Sequence, residues 1–549
     1  MEHTGDEFEY RRLEDKAAPA DVDGGALSAA AAEDDHSAAA TGARDDERQS
    51  RKREWAAYVE LMVPTTLTFV CRMGMALTDL AFLGHLRADP RYPGAASNDF
   101  LAAAGIAITW IALTDNFLYS GMSGALQTLV AQAVGAKNAP LAGTWLVISG
   151  TVALLSCVPV AVAWWFAGDV MGLALGPAKC DARCQALVSE FARYSVLWLW
   201  SNVAYVQART YFRARGITRP QLVVSVLCLG INVGLNQLFV HGAFGWPGLG
   251  FRGSPVATAV SRALQTALFV GYAFGWKRLH ADAWPAGPLW RQFSCVRVRR
   301  YLWQSMPLAV GGQLEEAQIQ VVSFLAGRIG PDQIAAHNGL LEVFLFLTAL
   351  QWGVMNATTV RVGVHLGDDR VANCKHVIRI AAKVGTAISV GISLVFVLGR
   401  HVIGRVYSND AHIIALTEPL CWLAGAGYTA LTIFYVCMAV LQAQGRTVAI
   451  AVSFFIGAWC FGVPSAWAFG FKAWWHGREG GLGLLGLWLG LTVGYGVTTL
   501  LALGNVWRSD WPKLARDAME RSEKEEDGDG NKQVEEEDDV VSPDTVEGV

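Results

Sequence analysis

The sequence predicts an all-α polytopic membrane protein, with about twelve transmembrane helices in two pseudo-symmetric six-helix lobes around a central cavity. Three observations carry this reading. The 549 residues are 53% hydrophobic and only 17% charged, with 57 Gly and 21 Trp, where a soluble domain is about a quarter charged. Apolar runs long enough to cross the roughly 30 Å hydrocarbon core recur along most of the chain. The motifs of the first half return, in order, in the second.

The apolar runs fall near 55–85, 100–126, 141–167, 188–208, 222–242, 255–276, 302–328, 334–357, 378–400, 412–440, 448–470 and 484–506. Residues 1–53 are rich in Ala, Ser, Gly and acids, and 509–549 end in EKEEDGDGNKQVEEEDD, so both are expected to be disordered tails. The N-terminus lacks the basic and apolar segments of a cleaved signal peptide. An even number of spans puts both termini on one side. The Arg-rich linkers RTYFRARGITRP (209–220) and 277–300, which ends CVRVRR, share that side and mark it as cytoplasmic, although Arg87, Arg91, Lys179 and Arg183 fall opposite. Plasma membrane and vacuolar-type membrane are both compatible.

The basic linker, taken as 281–300, divides an N-lobe (54–280) from a C-lobe (301–508). Pro64 and Gly84 in the first span match Pro307 and Gly327 in the seventh. RARGIT (213–218) returns as QAQGRT (442–447), GLGFRG (248–253) as GLGLLG (481–486), and VAQAVGA (130–136) as VGVHLGD (362–368). Two repeats of six spans are parallel and related by an axis along the membrane normal, which is transporter architecture.

These residues also carry a resemblance. VELMVPTTLTF and DLAFLGHL, GALQTLVAQAVGAKN, RTYFRARGITRPQ, MPLAVGGQLEEAQIQVVSFLAGRIGPDQIAAHNG, VRVGVHLGDD and GLGLLGLWLGLTVG, spread over about 54–513, resemble the multidrug and toxic compound extrusion (MATE) family. Among its members, the sequence resembles the eukaryotic DETOXIFICATION type. The resemblance implies an alternating-access antiporter that exports organic cations, xenobiotics or secondary metabolites. Proton entry would drive it, with sodium as the other candidate ion. It implies no bound cofactor, a lipid bilayer and a small organic substrate as partners, no nucleic acid, and a monomer.

Charged groups within the spans are the candidate site, because an acid at mid-membrane costs about 2.5–3.5 kcal/mol on insertion scales. Glu315 falls where the family has its seventh-helix acid and is expected to be the coupling carboxylate; the bland alternative is a buried acid bonded to Gln313 or Gln318. Glu316, rotated about 100° from it on a helix, reads as an inter-helix contact. Asp79 matches the first-helix aspartate of bacterial members, with functional and packing readings both open. Asp115 and Glu342 read as packing groups. Arg72 holds, under the Pro64/Pro307 registration, the place that Glu315 holds in the seventh helix. It is therefore expected to couple to Glu315 across the cavity, with Asp79 as the alternative partner.

Two family acids are missing: Leu431 stands where eukaryotic relatives carry a tenth-helix acid, and Gln127 where the N-lobe LDT motif has its Asp. Trp110, Phe117, Tyr119, Phe344, Phe346, Trp352, Phe434 and Tyr435 are candidate stacking groups for a flat substrate, and Gln132, Asn338 and Gln351 candidate hydrogen-bonding groups. Cys180 and Cys184, in GPAKCDARC, leave a disulfide and two free thiols equally open. The alternative function is a lipid or lipid-linked saccharide flippase of a related two-lobe fold, which calls for a lipid-open groove with basic residues. An enzyme or ATPase is not expected, since no P-loop, GxSxG or metal-ligand cluster occurs.

Overall fold

The computed structural model describes residues 28–520 apart from 87–88, 90, 95–96, 177–179, 286, 409 and 473–480, with the backbone alone at 28–47, 97 and 429–430. Arg87, Lys179 and the outer parts of both expected tails (1–27 and 521–549) lie outside the described residues. Residues Met1–Glu54 form one unit and Trp55–Val549 a second. The first is helical from Ser28, against the expected disorder. Low hydrophobicity argues against burial, but the alanines of this stretch favour a helix locally. Residues 511–520 are likewise helical, with Ala515 and Ala518 buried.

Each apolar run becomes a long helix: α1 Ser28–Gly84, α2 Asn98–Gly135, α3 Ala139–Trp165, α4 Ala182–Ala214, α5 Arg219–His241 and α6 (253–276) in the first half. The second half comprises α7 Cys295–Ile329, α8 Pro331–Gly367, α9 Val371–Tyr407, α10 Ala411–Ala443, α11 Thr447–Phe471 and α12 Leu484–Trp507. Helix α7 starts inside the expected linker, because Ser294 caps it by accepting from Arg297 N at 3.2 Å; Arg297, Arg299 and Arg300 thus belong to its first turns. Eight of the described helices are long and apolar enough to cross a membrane, with α10 a ninth as a bent pair. The three that miss this test are α4, α6 and α7, which carry Arg209 and Arg213, Arg262, and Glu315 and Glu316 respectively.

The repeat is visible in hydrogen bonds. Gly216 and Gly445 both take positive φ (83° and 72°) and end their helices alike: Ile217 N donates to Phe212 O at 2.8 Å, and Arg446 N to Leu441 O at 2.9 Å. Leu249 N donates to Phe239 O (2.6 Å) as Leu482 N donates to Phe469 O (2.8 Å). Asn138 N donates to Ala133 O (3.0 Å) as Arg370 N donates to His365 O (2.9 Å).

The axis relating the halves passes between the ends of α2 and α8. A Cβ on Gly135 would lie 2.0 Å from Val364 O, and one on Gly367 would lie 2.2 Å from Gln132 O. Under the VAQAVGA/VGVHLGD registration these contacts are images of each other. Between them a Cβ on Gly363 would meet Cβ of its own equivalent, Ala131, at 2.9 Å. Only residues without a side chain let two backbones approach this closely, the small-residue packing of membrane helices. Cys180 and Cys184, ahead of and within the first turn of α4, form a disulfide with Cα atoms 5.2 Å apart.

Candidate substrate and coupling site between the lobes

A cavity of about 230 Å³ lies between the lobes, with walls from α1, α2 and α4 on one side and α7, α8, α10 and α11 on the other. The registrations of the repeat show that its walls are related positions. Arg72 (α1) answers Glu315 (α7), Arg209 answers Met438, and Arg213 answers Gln442, all six on the cavity surface. The scaffold is symmetric and its charges are not.

Helix α7 is fixed by its backbone contacts. Tyr301 Oη donates to Met122 O at 3.0 Å, Gln313 Nε2 donates to Leu113 O, and Trp459 Nε1 donates to Leu314 O at 3.1 Å. Gly312 lets it lie against Ser120, whose Oγ would be 2.6 Å from a Cβ there. The facing segment of α2, Phe117–Met122, is a π-helical turn, a distortion that recurs at functional sites.

So held, Glu315 points into the cavity and accepts a 3.0 Å hydrogen bond from Tyr495 Oη of α12. Tyr495 in turn packs edge-on against Phe434, ring centroids 5.3 Å apart. Glu315 is the one carboxylate lining the cavity among the described residues. Glu316 points elsewhere and accepts from Gln320 Nε2 at 3.0 Å, in keeping with its rotation from Glu315.

Arg72 also reaches the cavity, but the structure gives it and Glu315 different partners. Its guanidinium lies 4.9 Å from the Tyr119 ring centroid and within electrostatic range of Asp115. No salt bridge joins Arg72 to Glu315 among the described residues, and the expected coupling is limited to a shared cavity. The alternative partner is engaged too: Asp79 accepts from Asn236 Nδ2 (2.7 Å), Thr258 Oγ1 (2.6 Å) and, at 3.4 Å, Asn232 Nδ2. Those donors come from α5 and α6 and hold Asp79 inside the N-lobe, off the cavity. Pseudo-symmetry equates the depth and facing of two residues but does not choose their neighbours; here α2 and α12 supply the tyrosines.

The other candidates divide. Tyr119, Phe434, Tyr435 and Gln127 line the cavity. Gln132 binds the lobes together, its Nε2 donating to Ala443 O at 2.8 Å, and Gln351 is buried in the C-lobe against Ser389 Oγ (2.7 Å) and Gly385 O (3.0 Å). Trp110 donates to Ala163 O of α3 at 2.9 Å, away from the cavity lining, and Trp352 stacks edge-on with the lining residue Phe69 at 5.7 Å. Asp115 is buried, whereas Glu342 and Asn338 are exposed on α8. Phe344 packs in an aromatic cluster with Tyr428 at 5.1 Å, and Phe346 is exposed. Leu431, the position of the missing acid, is a buried C-lobe core residue.

Three groups escaped the sequence reading. Arg209 and Arg213 read as loop charges in a basic linker, but α4 continues to Ala214 and buries both at 4% exposure. The signal was their one-turn spacing, which keeps them on the face of α4 that carries Val206. His337 bridges Ser323 Oγ (2.9 Å) and Trp488 Nε1 (3.1 Å) inside the C-lobe.

The MatE family model matches residues 64–238 and 307–468, one stretch in each lobe. A probable multidrug resistance protein NorM of Bradyrhizobium diazoefficiens is 28% identical over 80% of this chain and 90% of its own length. The multidrug and toxin extrusion protein 2 of Mus musculus is 26% identical over 86% of this chain and 77% of its own. Among solved structures, the eukaryotic MATE transporter AtDTX14 superposes with a TM-score of 0.75 at 21% identity, covering 86% of this chain and 99% of that one. A MOP superfamily transporter from Pyrococcus furiosus gives 0.71 at 18% identity, covering 85% and 97%. With both repeats matched and the two-lobe fold shared, the chain belongs to the MatE family and is a multi-pass membrane transporter of the efflux class.

Proposed function

We propose that this chain is a proton-driven antiporter that exports small organic molecules bearing a basic nitrogen, with Glu315 the carboxylate that exchanges proton for substrate. The carrying observation is that Glu315 is the one carboxylate on the cavity wall among the described residues, held by Tyr495 and free of any salt bridge. A carboxylate in such a place serves either a proton or a cationic nitrogen. Mutual exclusion of the two at one oxygen pair is the minimum requirement for antiport. The aromatic wall of Phe434 and Tyr435 suits a flat apolar body. We place both termini in the cytoplasm on the strength of the Arg-rich segments at 215–220 and 277–300, with the protein a monomer in the plasma membrane or a vacuolar-type membrane.

The test is uptake of a fluorescent organic cation into proteoliposomes under an imposed pH gradient, with an imposed sodium gradient as the parallel arm. Wild type is expected to respond to the pH gradient and Glu315→Gln to lose that response by roughly tenfold or more. Equal pH-driven uptake by both proteins would remove Glu315 from the mechanism; uptake driven by sodium alone would replace the ion.

A further inference from the structure

The N-lobe wall of the cavity has more positive charge than its surroundings balance. Arg209 and Arg213 lie one turn apart on α4 and both line the cavity, each 4% exposed. Neither makes a salt bridge among the described residues, and neither Nε has a hydrogen-bond partner there. Arg213 Nη2 donates to Gln127 Oε1 (2.8 Å) and Thr210 Oγ1 (3.4 Å), both neutral. Arg209 lies over the rings of Phe69 (5.4 Å) and Tyr205 (5.6 Å), which support a guanidinium from its faces and leave its in-plane N–H groups to other partners. Two like charges at this spacing repel. A buried guanidinium without a counter-charge is among the costliest arrangements in a protein.

The cation cluster sits beside a third guanidinium, Arg72, whose range includes Asp115 and whose face rests on Tyr119. Across the cavity the related positions are Met438 and Gln442, so the C-lobe offers no compensating acid at these two sites. Glu315 is the sole carboxylate on the lining among the described residues, against three guanidiniums. The Asp that the family's LDT motif would place beside Arg213 is Gln127, which accepts from Arg213 but brings no charge.

We infer that the Arg209–Arg213 wall is an anion-binding subsite that takes a carboxylate, sulfonate or phosphate group of the transported molecule. The substrate would then be dipolar: its anionic group on the N-lobe arginines, its apolar body against Phe434 and Tyr435, its basic nitrogen at Glu315. This rests on the exchange role proposed for Glu315 for the nitrogen alone; the anion subsite stands on the arginines. A planar carboxylate matches the fork of a guanidinium, and the unpartnered N–H groups supply the donors. Such a substrate spans both lobes, so its binding ties together the two bodies that alternating access must move.

The test uses the full-length protein in detergent, without a gradient, and two dyes that differ in one charge: tetramethylrhodamine, whose xanthylium cation carries a free benzoate, and its methyl ester. Fluorescence anisotropy gives Kd for each. The free acid is expected to bind roughly tenfold or more tightly than the ester in wild type. Arg213→Gln should bring the ratio to about one, by weakening the free acid and not the ester, while Arg209→Lys, which keeps the charge but loses the planar fork, should lower the ratio without bringing it to one. Equal affinities in wild type would overturn the proposal whatever the variants do, and so would a ratio that survives Arg213→Gln. A chloride titration separates the sources of negative charge. A preference unchanged between chloride and gluconate supports a substrate subsite. A preference abolished by moderate chloride assigns the arginines to a resident inorganic anion and overturns it. The ratio is read at equilibrium, so a failure of Glu315 in the gradient assay would leave it standing.

Discussion

The crossing of α2 and α8 at the pseudo-two-fold axis can be tested by adding one methyl group. In Gly135→Ala the new Cβ would stand 2.0 Å from Val364 O, and in Gly367→Ala it would stand 2.2 Å from Gln132 O. Ordinary carbon-to-carbonyl contact is about 3.3 Å, so each substitution demands a separation of roughly 1 Å between two backbones that have no flexible side chain to yield. Overpacking of this kind costs about 1–3 kcal/mol, less a helix-propensity gain of up to about 1 kcal/mol for replacing glycine. The two contacts are images across one axis, and opening the crossing for one methyl partly opens it for the other. The double variant should therefore cost less than the sum of the singles, by about 1 kcal/mol or more.

The assay is reversible unfolding in mixed micelles with increasing sodium dodecyl sulfate, read by tryptophan fluorescence. Gly150→Ala on α3, where a Cβ would meet nothing within 4 Å, is the control and should be neutral or slightly stabilising. Single variants that match this control would refute the close approach. Strict additivity, within about 0.5 kcal/mol, would refute the reciprocal geometry even if each single were costly.

Three further outcomes are expected. Asp79→Ala leaves the donors Asn232, Asn236 and Thr258 without their acceptor and should destabilise by about 1–3 kcal/mol more than Asp79→Asn, which keeps one oxygen; the same unfolding assay reads the difference. Trp488→Phe removes the donor to His337 Nδ1 and replaces the buried indole by a smaller ring, and should cost about 1–3 kcal/mol with little change in transport, since neither residue lines the cavity. In detergent, a maleimide should label exposed Cys295 and Cys460 before reduction and add half-buried Cys184 after it, leaving buried Cys71, Cys157, Cys180, Cys228, Cys374, Cys421 and Cys437 unreacted until the protein unfolds; mass spectrometry of the labelled peptides checks this.

The helices and their duplication were legible because hydrophobic length and motif order are local properties of the chain. RARGIT and QAQGRT end their helices in the same hydrogen bonds because Gly216 and Gly445 permit the same left-handed turn. The depth of Glu315 was legible for the same reason. Its partner was not, because Tyr495 is 180 residues away in sequence and no repeat equivalence leads to it. The arginines of α4 were misread because positive charge near a span end usually marks a cytoplasmic loop. Deciding otherwise required knowing that the helix carries on for another turn into the protein rather than into water.

Of the three helices that miss the apolarity test, α4 and α7 face each other across the cavity. A helix such as α3 carries no charged residue from Ala139 to Trp165, whereas charge within a span is placed on a face that meets a polar cavity or a partner. Helices α4 and α7 carry such charge with opposite signs, Arg209 and Arg213 on one and Glu315 on the other, at the cavity shared by two related lobes. A duplicated scaffold with identical charges would repel itself across its own axis. Opposite charges instead leave the lobes attracted when the cavity is empty, and any occupant that neutralises one wall changes that attraction. Under the proposed exchange a proton on Glu315 would do this at the C-lobe, and under the proposed subsite an anionic group on Arg209 and Arg213 would do it at the N-lobe. The asymmetry that breaks the repeat thus lies on the cavity wall, where occupancy would bias one lobe against the other in an alternating-access cycle.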